Sequence, residues 1–332
     1  MNNRLKLKCL VLAALLAPCS LLAQERLKQA TIIVGSPAGG TVDRLARMYA
    51  DALKDRIAAT TVVENRAGAG GIIAYEYVKN SRQKDGSLMF LSPAYPLTIS
   101  PHVQKLPYDT LTDFTPVAVG ARSSGMSYAV GPAVPAAVRT LQDYLKWTVD
   151  NPKSAVYGAQ TGSSQHLLGA MLALNSKVKL ENISYKGDAP MIQDLLGGHV
   201  PAGVLPITAA LPVARAGQVR VIGVASRGRS QYFPDVPSFE SVGYKDMVFQ
   251  DWIGFFAPAG TSPAMVKQIN AAIGEIAKSA DGQALLAKLA FIPEVLGPEE
   301  FAEQVRADYR RYAAAVERTG FRQAFEKAQG QQ

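Results

Sequence analysis

The sequence predicts an α/β protein built as two lobes, and three observations carry that prediction. Short apolar, β-branched runs alternate with segments of helical spacing along most of the chain, as repeated βα units require. The alternation restarts near Thr140, as though a second sheet begins there. The length left after a short leader, about 310 residues, suffices for two lobes of ordinary domain size.

The leader comes first. Arg4, Lys6 and Lys8 form a basic head, Cys9 to Leu22 an apolar stretch too short for a comfortable membrane span, and Ala23 a small residue at a cleavable boundary. Residues 1–23 therefore read as a secretory signal peptide. Leu16-Ala17-Pro18-Cys19 has the outline of a lipid-attachment box, but Pro18 is a poor residue before the cysteine. Both cysteines fall in this leader, which excludes disulfides, thiol nucleophiles and zinc–thiolate sites from the exported chain. Losing the three basic residues lowers the formal charge from +8 to about +5. With no block of Lys/Arg and no basic stripe interleaved with aromatics, the charge is that of an ordinary surface, and nucleic acid is not expected as a partner.

The first body element is Thr31 to Val34, a short β-branched run suited to a central parallel strand. Gly35, Gly39 and Gly40 then allow a sharp turn and close approach of a ligand to the backbone. Thr41 is expected to cap a helix whose apolar positions are Val42, Leu45, Ala46, Tyr49, Ala52 and Leu53. Such a strand–loop–helix unit points free amides and the positive end of a helix dipole at one place, which suits an anion. No lysine follows Gly40, as a Walker A loop needs, and the glycine spacing does not fit a dinucleotide fingerprint. A carboxylate asks for less. Thr60 to Val63 is the next strand, Glu64 to Gly71 a polar turn and second glycine loop, and Ile72 to Asn80 a helix. Ser87 to Leu91 is a strand ending at Ser92-Pro93, and the two stretches Leu106 to Asp109 and Asp113 to Pro116 read as irregular. Met126 to Val130 is a further strand.

In the second half Leu141 to Asp150 is a helix and Ala155 to Ala159 a strand, followed by Gln160-Thr161-Gly162-Ser163-Ser164-Gln165-His166 opening another helix. This is a second anion-receptive loop, now rich in hydroxyls. Ile183 to Gly187 precedes a helix to Leu196, with Gly197-Gly198 at its end. Val219 to Ala225 is a strand, Pro234 to Pro237 a loop, and Phe249 to Ala257 an extended apolar stretch. The C-terminal part is helical: Pro263 to Ala277, Gly282 to Leu289, and Pro298 to about Arg318, closed by Gly320.

The three histidines, His102, His166 and His199, form no metal-binding pair, and no cofactor or metal is expected. Ser163 or Ser164 with His166 offers a hydrolase reading, but the G-x-S-x-G elbow is absent and residues so close in one loop rarely reach catalytic geometry. Asp43, in the first turn of its helix, serves either as a base or, more simply, as an acid that favours the dipole and braces the glycine loop. No catalytic residue is assigned, and the chain is not expected to be an enzyme.

Nine segments together resemble one family: SPAGGTVDRLAR (36–47), VVENRAGAGG (62–71), LPYDTLTDFTPV (106–117), GSSQH (162–166), YKG (185–187), DLLGG (194–198), PDVPSFESVG (234–243), W-x-G-x-x-A-P-A-G-T (252–261) and PEEF (298–301). The chain resembles the substrate-binding proteins of tripartite tricarboxylate transporters, the Bug-type periplasmic receptors, over essentially its whole length beyond the leader. The resemblance implies a two-lobe periplasmic binding protein fold of type II. Each lobe would be a mainly parallel sheet flanked by helices, with 26–126 plus 248–332 as lobe 1 and 127–247 as lobe 2. It implies a small organic carboxylate held between the lobes by Ser36, Pro37, Ala38, Gly39, Gly40, Thr41, Asp43 and Ser92 from the first, and by Thr161, Ser163, Ser164 and His166 from the second. The implied partners are that ligand and the membrane subunits of a tripartite transporter, with a membrane sensor or an exported hydrolase as the rival readings and a monomer as the expected state. The implied location is the periplasm. Ser36 stands where the family usually has an aromatic, and Gly35 where it has proline. In amino-acid-binding relatives the resemblance implies an acid in the strand after the Gly-Gly turn. Val200 to Leu205 offers none, so a ligand without an α-amino group is expected.

Overall fold

A computed structural model describes residues 27–329. The leader assigned to residues 1–23 lies outside the described residues. Eleven strands form two sheets, one of six strands and one of five. The first sheet begins with β1 (Leu27–Val34), β2 (Ala58–Asn65) and β3 (Leu88–Pro93), all parallel. β1 sits between the other two, which is why Ile32, Ile33 and Val34 are wholly buried from both faces. The chain then runs through β4 (Phe114–Ser123) and crosses to the second sheet at β5 (Met126–Val130). That sheet continues with β6 (Val156–Gln160), β7 (Glu181–Tyr185), β8 (Ala202–Pro206) and β9 (Arg220–Ala225). The chain returns through β10 (Trp252–Pro258) and adds the short β11 (Phe291–Ile292). The strand orders are β11-β4-β10-β3-β1-β2 and β7-β6-β8-β5-β9.

The two-lobe α/β class stands, but the sheets are mixed rather than mainly parallel. β10 runs antiparallel to both β3 and β4, β11 antiparallel to β4, and β5 antiparallel to β8 and β9. The reason is topological: β5 and β10, by which the chain enters each sheet from the other, run against the direction set by the βα units. β4 also corrects the expectation of irregular chain at Asp113 to Pro116. Pro116 is accommodated because it lies beside a register shift against Phe256 and beyond the reach of β11, which pairs only with Ser123 and Arg122.

Helices cover the sheets. Those at Thr41–Leu53 and Pro263–Lys278 pack one face of the first sheet through Leu45, Tyr49, Ile269 and Ile273. The helix Ser164–Ser176 packs the second sheet through Leu167, Leu168 and Leu172. The long helix Pro298–Thr319 bridges the lobes: Phe301 and Val305 join the core of the first sheet, while Tyr312 and Val316 join that of the second. Gly320, at φ 63°, turns the chain into a last helix, Phe321–Gln329, which the sequence reading did not expect and which seals the same core with Phe321 and Phe325. Among the described residues no helix is long and apolar enough to cross a membrane.

Candidate functional site

In a sheet of parallel strands, the loops that leave the carboxyl ends all emerge at one edge, and ligands sit there. Here this happens twice. In the first lobe the loops after β1, β2 and β3 emerge together; in the second, those after the mutually parallel β6, β7 and β8. All six line one cavity of about 1220 Å³, through Ser36–Thr41, Ala67–Gly71 and Pro93–Tyr95 on one wall and Gln160–Thr161, Tyr185–Asp188, Pro206 and Thr208 on the other.

The first wall is a donor surface. The N-cap of helix Thr41–Leu53 is Gly40, not Thr41, and no side chain caps it. Instead Asp43 reaches back and its Oδ2 accepts the Gly39 N–H at 2.8 Å. Arg47 Nε and Asn65 Nδ2 also donate to that carboxylate, at 3.0 and 2.9 Å, and Asn65 further binds the Ser36 carbonyl. Burial pushes the Asp43 carboxyl up, but the hydrogen bonds from Arg47, Gly39 and Asn65 outweigh it and hold it below the usual carboxylate range. The amides of Thr41 and Val42 meet no acceptor among the described residues. The second loop approaches closely: a Cβ on Gly35 would lie 2.8 Å from the Gly71 Cα. That loop holds Gly68, Ala69, Gly70 and Gly71 at positive φ, and the amides of Ala69 and Gly70 are likewise without an acceptor among the described residues. Ser36 Oγ is buried without a partner. Together these give an uncharged, donor-rich pocket for an anion, with the Arg44 side chain at its rim.

Of the twelve residues expected at the site, Ser36, Pro37, Ala38, Gly39, Gly40, Thr41, Thr161 and Ser164 line this cavity. Asp43, Ser92, Ser163 and His166 do not line it. Asp43 braces the loop from behind, and Ser92 is buried against the hydroxyl of Tyr75 at 2.9 Å. Ser163 is the N-cap of helix Ser164–Ser176, and its hydroxyl donates to the Gln160 carbonyl at 2.6 Å. His166 faces inward: its Nδ1 accepts the Gly162 N–H at 3.3 Å, and its ring meets Phe321 edge-on at 4.6 Å. Ser164 Oγ donates to Asp251 at 2.7 Å, not to the imidazole, so no serine–histidine pair exists there. Lining residues that the sequence reading missed include Arg44, Tyr75, Tyr95, Asp188, Thr208 and Asp251. Tyr95, Asp188, Thr208 and Asp251 lie near strand ends and Arg44 and Tyr75 in helices, but which of them meet is a matter of sheet order.

Burial lowers the His166 pKa to about 4. An unfolded histidine titrates near 6.5, so between these values the unfolded chain holds a proton that the folded chain refuses. His166 should therefore lend full stability above about pH 6.5 and lose it as pH falls toward 4, with about 2 kcal/mol gone between pH 7 and 5. Urea unfolding at both values should show His166→Gln losing less than wild type by that amount. Equal losses in the two proteins would contradict the buried, neutral imidazole.

A family model described as "Tripartite tricarboxylate transporter family receptor" matches residues 45–320. Protein BugT of Bordetella pertussis is 30% identical over 291 residues, covering 87% of this chain and 88% of BugT. An R. palustris protein solved with adipate superposes with a TM-score of 0.81 at 28% identity, over 88% of this chain and 97% of that one. The periplasmic binding protein BugD superposes with a TM-score of 0.79 at 27% identity, over 90% and 98%.

Proposed function

This chain belongs to the tripartite tricarboxylate transporter receptor family, whose members are periplasmic solute-binding receptors and not enzymes, and from that premise we propose that it captures a small organic carboxylate for a tripartite-type transporter. The observation that carries the proposal is the meeting of six strand ends on one cavity, with unpaired amides at Thr41, Val42, Ala69 and Gly70 on its first wall. Amides fixed at a helix start hold a carboxylate without an arginine clamp, because the backbone is already ordered and only desolvation opposes binding. In this reading residues 26–126 and 248–332 form one lobe and 127–247 the other. Ser36 to Thr41 hold the ligand from the first, and Thr161 and Ser164 meet it from the second. Asp43, Ser92, Ser163 and His166 support those loops from behind. Residues 1–23 direct export, and the membrane subunits of the transporter receive the loaded form. The relative solved with adipate makes that acid a natural first member of a test panel.

Thermal unfolding against small carboxylates, adipate among them, tests the reading. A ligand at a hundred times its Kd adds about 2.7 kcal/mol, or roughly 4 °C in Tm for a chain of this size. Recovery of the ligand unchanged is expected. A flat response across the whole panel, or turnover of the acid, would count against a carboxylate receptor.

A further inference from the structure

The second lobe delivers to the cleft a carboxylate that the strand after the Gly-Gly turn lacks. Asp188 is the first residue of helix Asp188–Leu196, at the carboxyl end of β7, and it lines the cavity. One of its oxygens accepts Gln165 Nε2 at 2.7 Å, and no cation pairs with it among the described residues. Lys186, two residues away, is exposed and forms no ion pair there. Across the cleft lies Tyr95 of the first lobe, whose phenol is pushed up to about 12, first by burial and further by the charge of Asp188. Asp188 and Tyr95 thus line the same cavity from its two walls. An acid in a first helical turn is often only a partner for the dipole, but such residues normally stay hydrated on the surface. This one is only partly exposed, burial raises its pKa, and its side-chain partner is the neutral Gln165 amide. The same wall carries Thr208, nine-tenths buried, with an Oγ1 that has no hydrogen-bond partner.

The two walls are thus complementary. The first offers amides and hydroxyls to an anion; the second offers a carboxylate to a donor. We propose that Asp188 is the acceptor subsite of the cleft and selects carboxylates that also carry an ammonium group over acids whose far end is a second carboxylate. This rests on the carboxylate-receptor reading above, and it reverses the expectation drawn from Val200 to Leu205. A partly buried carboxylate with one neutral partner gains from a cation, and a second carboxylate placed there meets like charge.

The test is calorimetric titration of wild type, Asp188→Asn and Asp188→Glu with glutamate, 4-aminobutyrate, glutarate and butyrate, with thermal melts to verify folding. In wild type at least one amine-bearing acid should bind tenfold or more tighter than glutarate. Asp188→Asn should lose that preference by ten- to a hundredfold while holding glutarate equally or better, and Asp188→Glu should keep part of it. Tighter binding of glutarate than of both amine-bearing acids by wild type would overturn the inference while leaving a carboxylate receptor. Equal losses for all four acids in Asp188→Asn would overturn it as well, and mark Asp188 as structural. Failure of folded wild type to bind any carboxylate would remove the receptor reading itself, and the inference with it.

Discussion

Replacing Gly40 with valine should weaken carboxylate binding ten- to a hundredfold while leaving the protein folded. The backbone at Gly40 is ordinary for any residue, φ −68° and ψ 171°, so the substitution imposes no backbone strain. A Cβ there would sit 3.9 Å from Ser36 Oγ and 3.3 Å from the Pro37 carbonyl oxygen, a tight contact that the loop must relax by a few tenths of an ångström. Gly40 lines the cavity beside Thr41 and Val42, so the added bulk is expected to crowd a ligand held at their amides. Each charge-assisted hydrogen bond lost is worth about 1.5–3 kcal/mol, which is the stated change in affinity. The fold should lose less, about 1 kcal/mol, because glycine outranks valine as an N-cap. Calorimetry on a variant whose melt stays close to wild type decides the matter: unchanged affinity would remove this helix start from the site.

The largest stability effect is expected at Asp251. It is 7% exposed and joins three parts of the chain. Its Oδ2 accepts from Ser164 in the second lobe, its Oδ1 from the Tyr312 hydroxyl on the long C-terminal helix, and Arg311 stands 3.7 Å away. Asp251→Ala strands two buried hydroxyls, each costing about 1–3 kcal/mol, and loosens a half-exposed arginine that contributes little. A loss of about 2–5 kcal/mol follows, or roughly 3–8 °C in Tm. Asp251→Asn, which keeps one acceptor, should fall between the two. A melt of Asp251→Ala within 1–2 °C of wild type would show that the three parts hold together without it. The network also passes from the cavity-lining Ser164 to the helix that bridges both lobes, so the same variants should alter the lobe arrangement seen by small-angle scattering.

Much of this protein is decided locally and is therefore legible in its residues. A β-branched run followed by Gly35, Gly39 and Gly40 and an amphipathic helix has one economical structure, and β1 with its glycine loop and helix adopts it. The same holds for Gln160 to His166, where Ser163 does cap the helix. Local pattern misled where a proline overrode it: Pro116 suggested irregular chain, yet a register shift and an unpaired flank admit it into β4. The roles within each loop were decided elsewhere. Thr41 and Asp43 are two residues apart, but only packing against β2, through Asn65, turns Asp43 inward as a brace and leaves the Thr41 amide free. Ser163 and His166 look ligand-facing in sequence, and the helix Phe321–Gln329, more than 150 residues later, covers the histidine instead. Asp188 and Thr208 reach the cleft because β7, β6 and β8 are neighbours and run the same way, so three helix starts separated in sequence open at one edge. Periodicity and turn chemistry act over a few residues and so determine the elements; sheet order and burial act between distant segments, and only they decide which side chains share a cavity and which charges lose their water.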